Sequence, residues 1–149
     1  MKTTSKLFAL GFLLCITFVT QAQVTSSSRP TLFTSFSTNI PASVAELDKA
    51  FTAAPGSSIQ FNFSNKLPFS GIVLSSVQRY SNLSSVIIKS ALLQNALLSI
   101  SRRINDDNTI TYVGRIINEK YADGYELIKD NTGNYSFNKI KTQDLIQDF

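Results

Sequence analysis

The chain has no histidine and no tryptophan, and its only cysteine is Cys15. With no histidine, and with cysteine confined to the first residues, neither a Ser-His-Asp nor a Cys-His nucleophile can be assembled. The usual zinc sites and haem, iron–sulfur and blue-copper ligation draw on the same two residue types and lose their donors with them. No cofactor is expected. Beyond Cys15 no disulfide can form, so stability has to come from packing.

Long apolar runs are also missing, with one exception. The chain opens "MKTTSKLFALGFLLCITFVTQAQ". Lys2 and Lys6 precede an apolar run from Leu7 to Val19, which is short for a bilayer span, and Ala22 supplies a small residue at a cleavage-like position. Residues 1–22 read as a secretory signal peptide. Its removal would leave a soluble, secreted or periplasmic product with no transmembrane anchor. Export without disulfides suits a bacterial-type route. The sequons at Asn62, Asn82 and Asn134 would matter only in a eukaryote.

Acid is missing from one long stretch. Between residues 60 and 105 the charged residues are Lys66, Arg79, Lys89, Arg102 and Arg103, in a chain of formal net charge +4. Acids concentrate after residue 105. This asymmetry gives the surface a dipole or lets the two halves dock. The bases are dispersed and carry no nucleic-acid-binding motif, so no nucleic acid partner is expected.

What is present reads in three parts. Residues 23–40 form a flexible Ser/Thr-rich leader, with Phe33 and Phe36 able to tuck against the body. Residues 41–149 form a single α+β domain. "PASVAELDKAFTAAPGS" is its helix: Ser43 and Glu46 have capping-box spacing, Val44, Leu47, Phe51 and Ala54 share a stripe, and Pro55-Gly56 stops it. From residue 58 the period becomes two. "SIQFNFS" points its phenylalanines one way. "GIVLSSVQRY" sets Val73, Val77 and Arg79 against Ile72 and Leu74. "ALLSISRRI" separates Leu98, Ile100, Arg102 and Ile104 from Ser99, Ser101 and Arg103. "TITYVGRIIN", "GYELIK" and "NYSFNKI" follow, between turns at "NDDN" and "DNTG". "ALLQN" reads as a turn or loop, and Thr142 caps a short terminal helix over "TQDLIQDF". One N-terminal helix thus packs on an antiparallel meander of about seven strands. In outline this is similar to cystatin-like helix-on-sheet folds. A small β-barrel is the competing layout.

Two groups of residues suggest a binding surface. Tyr112, Tyr121, Tyr125 and Tyr135 crowd into "YVGRIINEKYADGYELIKDNTGNYSF" and would make an aromatic platform, unless they only cover half-buried strand positions. Arg79, Lys89, Arg102, Arg103 and Arg115 would make a basic strip if neighbouring strands present them on one face. Gly114 marks a bulge or a close backbone approach, and Asp123-Gly124 a tight turn. Asp123, Glu126, Asp130 and Asn131 offer oxygen donors but lack the D-x-[DN]-x-[DN]-G loop, so no metal is expected. Glu119 and Glu126 make a poor glycosidase pair in so small a domain. Ser136 and Lys139 match S-x-x-K, but on a strand an offset of three points them to opposite faces. No catalytic group is expected. The expectation is an exported binding module, inhibitor-like or propeptide-like, acting on a secreted enzyme. The alternative is a cell-surface or matrix component that binds polysaccharide.

Overall fold

The structure, a computed structural model, describes residues 29–64 and 67–145. The signal-like segment and the last four residues lie outside the described residues. Strand β1 (Asn39–Ala42) leads through helix α1 (Val44–Thr52) to β2 (Ser58–Ser64), β3 (Leu67–Tyr80), β4 (Leu83–Ser90), β5 (Ala96–Ile104), β6 (Ile110–Ile117), β7 (Asp123–Lys129) and β8 (Tyr135–Lys141). All eight strands join one sheet in the order β1-β8-β7-β6-β5-β4-β3-β2, with every pair antiparallel. The sheet curls until β1 lies beside β2 without pairing to it, making a half-barrel. No helix among the described residues is long and apolar enough to cross a membrane.

The strand count corrects the expectation of about seven. The added strand is "NIPA", where Pro41 resembles the start of a helix. Proline lacks an N–H and is tolerated on an edge strand, which is where β1 lies. The helix correspondingly begins at Val44. It is not laid flat on an open sheet but sits on the concave side of the curl, with Leu47 and Ala50 buried. Residues 142–145 form a turn, and Thr142 donates its hydroxyl to the Tyr121 carbonyl at 3.0 Å.

Strand alternation fills the concave side. Phe61 stacks on Phe63 at 4.9 Å and meets Phe69 edge-on at 6.0 Å. Phe63 also meets Phe137 of β8 edge-on at 5.0 Å. These contacts cross the interior beneath a seam that no backbone bond closes. Gly114 shows the close approach its position suggests: a methyl there would sit 2.9 Å from the Ser99 carbonyl oxygen.

The anticipated capping box forms by half. The Glu46 N–H donates to Ser43 Oγ at 3.3 Å. The Glu46 carboxylate does not return to Ser43. It accepts from the Asn62 backbone N–H at 2.8 Å and from Lys49 Nζ, which holds its pKa below the usual value, the Asn62 bond contributing most. It thus ties the helix to edge strand β2.

Residues 29–38 have almost no regular structure, yet they are anchored at several points. Phe33 is fully buried and packs edge-on against Tyr125 at 5.1 Å and Phe36 at 5.8 Å. The two Asp123 carboxylate oxygens accept the Leu32 and Phe33 N–H groups at 2.6 and 2.9 Å. Lys139 Nζ donates to the Phe33 and Phe36 carbonyls at 2.7 and 2.9 Å, and the Tyr125 hydroxyl to the Ser37 carbonyl at 2.6 Å. Asp123 is therefore not a turn acid. It is a buried residue at the start of β7 that binds backbone.

Asp123→Ala would leave two N–H groups without their acceptor, one of them buried. The expected cost is about 2–4 kcal/mol in denaturant unfolding. Native-state amide exchange should quicken at Leu32 and Phe33 while the amides of β5 stay protected.

Candidate functional site

The curl separates the nine candidate binding residues. Arg102, Tyr112, Tyr125 and Tyr135 lie on the concave side. The Tyr112 hydroxyl donates to Asp48 Oδ1 at 2.6 Å, and Arg102 reaches the same oxygen at 3.3 Å with its guanidinium 4.8 Å from the Phe51 ring centre. Tyr135 meets Tyr112 edge-on at 5.5 Å, and its hydroxyl accepts the Tyr112 N–H at 3.1 Å. These groups lock α1 to β5 and β6. All three tyrosines are buried, because a concave sheet of this size needs large side chains to fill it. Tyr121 lies half-buried in the turn before β7. No tyrosine platform forms among these four.

The remaining cations do not line up as one strip. Arg103 and Arg115 both face outward, but Arg103 pairs with Thr111, four residues from Arg115, or about 13 Å along a strand. Arg115 is matched by Glu126 across the β6–β7 pair at 2.8 Å. Lys89 is six residues from Leu83, the partner of Arg103, or about 20 Å away. Arg79 is exposed at an irregularity in β3.

The structure reveals a different surface, and a β-bulge creates it. Between Val73 and Ser75 the pairing of β3 with β4 shifts by one residue. Val73 opposes Ile88 on the concave side, yet Val77 opposes Ser85 on the convex side. Simple alternation would put both valines on one face, as the sequence suggests. The extra residue reverses the phase, so that Ser76 and Gln78 turn inward while Val77 turns outward. Beyond the bulge the convex side carries two rows read straight from the pairing. One is Val77, Ser85, Ser101, Val113. The other is Tyr80, Leu83, Arg103, Thr111. Tyr80 is 71% exposed and Val113 59%. Tyr80, Leu83, Ser101, Arg103, Thr111 and Val113 are among the residues that line a groove of about 520 Å³. Val77 escapes a reading of the sequence because the bulge has no residue signature in "VLSS", and Tyr80 because a second irregularity follows Gln78.

The oxygen donors are not brought together. Both Asp123 oxygens bind backbone, Glu126 binds Arg115, and Asp130 Oδ1 accepts from Thr132 and Asn134 inside its own loop. Among the described residues no three acidic, histidine or cysteine side chains cluster as a metal site. Ser136 and Lys139 take opposite faces of β8: Ser136 bonds Asn138 outside, and Lys139 binds residues 33–36. Compared with known proteins, the chain matches no family model, no curated protein and no solved structure.

Burial pushes the Tyr125 phenol up to about 12, with the Asp123 charge adding to it. Tyr112 is raised further, by burial first and then by its bond to Asp48. An unfolded tyrosine ionises near 10. The folded state therefore holds protons that the unfolded state releases, and stability falls as pH rises from about 10 through 12. Phenolate absorbance followed alongside circular dichroism should show a late rise that coincides with unfolding. Tyr125→Phe should remove part of that rise.

Proposed function

We propose that this is an exported, non-catalytic module that binds another protein on the convex face of β3 to β6. The observation that carries this reading is the phase reversal at the bulge. It turns Val77 outward into one row with Val113, and a second irregularity between Gln78 and Tyr80 brings Tyr80 opposite Leu83 in the next row, beside Arg103. Tyrosine and arginine beside apolar side chains are typical of interface centres. The four strands are hydrogen-bonded neighbours, so the surface is preorganised and little ordering accompanies docking.

Docking by strand addition is the less suited mode. Strand β1 has four residues and a proline, and the Glu46 carboxylate occupies one N–H of β2. Short edges, proline and charge all discourage an added strand. The inhibitor-like or propeptide-like expectation therefore becomes docking by a sheet face onto an exported enzyme. The polysaccharide alternative relied on four tyrosines, three of which are buried, and on a basic strip whose cations do not line up.

The test uses residues 23–149 with an affinity tag, exposed to the exported fraction of the source cells. The wild type should retain one protein stoichiometrically. Val77→Ser with Tyr80→Ala and Val113→Ser should lose it while the circular dichroism spectrum is unchanged. Retention of the same protein by that variant would remove the convex face from the proposal. Retention of carbohydrate in place of protein would favour the polysaccharide reading.

A further inference from the structure

We infer that the groove on the convex face seats a bulky apolar side chain from an acidic protein segment, with Arg103 pairing to a carboxylate beside it. This rests on the protein-binding reading and names the partner's chemistry.

The floor of the groove favours an apolar guest. Ser101 lies at its base and shares a hydrogen bond with Ser85 at 2.8 Å. That bond uses one of the two hydroxyl hydrogens, so the pair presents one open donor where two separate serines would present two. Both serines stand in the row between Val77 on β3 and Val113 on β6, and Ser101 and Val113 line the groove. At the rim, the Asn105 amide is engaged by Thr109 and Thr111, both at 2.9 Å. The Asn82 amide donates to the Ile104 carbonyl at 3.3 Å.

Arg103 differs from these rim groups. It is exposed, and among the described residues no carboxylate lies within ion-pair distance of it, whereas Arg102 and Arg115 each have one. Strands β3, β4 and β5 contain no acid at all. Asp106 and Asp107 lie beyond, in the β5–β6 turn, where Asp107 Oδ1 accepts the Thr109 N–H and hydroxyl. An incoming carboxylate would therefore meet a field set by Arg103, with Arg79 two strands away on β3 at the same end. That complementarity selects an acidic partner and speeds encounter.

A polyanion fits less well. Lys89 is about 20 Å from Arg103 along the strands, too far for the three cations to act as a dense patch. An anionic bilayer is recognised by clustered bases, which this face lacks.

The probe is a random copolymer of glutamate and tyrosine, compared with polyglutamate, heparin and anionic phospholipid vesicles, against the full exported chain. The copolymer should bind at least about tenfold more tightly than polyglutamate and weaken with added salt. Arg103→Gln should cost about tenfold, and Val113→Ser a similar factor, with folding unchanged by circular dichroism. Equal binding by Arg103→Gln, or heparin or vesicles binding as well as the copolymer, would overturn the inference. The two levels separate in the capture experiment above. If Arg103→Gln keeps the captured protein while the Val77, Tyr80 and Val113 variant loses it, protein binding stands and the acidic partner does not.

Discussion

The interaction on which the rest of the structure depends is the grip of Asp123 and Lys139 on the backbone of residues 32–36. A buried carboxylate and a partly buried ammonium are costly unless their hydrogen bonds are made. Here the Asp123 oxygens receive two N–H groups and the Lys139 ammonium gives to two carbonyls. The segment before β1 is thereby held against β7 and β8. That places Ile40 opposite Phe137 and Ala42 opposite Tyr135 in the β1–β8 ladder. Once β1 is set, the short connection through Ser43 has one course, across the concave side, and α1 closes it.

Closure is then a matter for side chains. Among the described residues no backbone bond joins β1 to β2, and the seam is bridged by Phe63 against Phe137 and by Glu46 reaching Asn62. At the far end Asp48 ties the helix to Arg102 and Tyr112. Four of the nine residues that looked available for binding are absorbed in the interior. The tyrosines are large enough to fill the interior of a curled sheet, and their hydroxyls find partners there: Asp48 for Tyr112, the Ser37 carbonyl for Tyr125, and the Tyr112 N–H for Tyr135.

Much of the fold was legible in the order of residues, because period and turn chemistry are local. The helix from Val44, its Ser43 cap and the close approach at Gly114 all follow from neighbours in sequence. So do the faces of β5 and the opposite orientation of Ser136 and Lys139. What stayed hidden is non-local. "NIPA" is a strand only because β8 arrives to pair with it. Asp123-Gly124 has the composition of a turn, yet its acid finds its donors some 90 residues upstream. The candidate site was hidden for the same reason. Alternation assigns Val73 and Val77 to one face, and only the register against Ile88 and Ser85 reveals that a residue between them is left unpaired.

That unpaired residue also brings Val77 to the convex side while the core strands stay paired on the concave side. If β3 alternated without interruption, Val77 would point to the concave side. Its neighbours there are Ser84 and Gln78, at an end where the interior is already polar and partly open. Val77 would then lie apart from exposed Ile72 and Leu74 on the convex side. The bulge brings it to the convex side. Pairing continues on both sides of the irregularity, through Val73 with Ile88 before it and Ser76 with Val86 after it, so the exposed row is held by the same ladder as the buried one. A loop could present the same side chains only with more conformational freedom to lose on binding. Built on a paired sheet, the proposed docking row would need no rearrangement to meet a partner, and its exposure is a consequence of register.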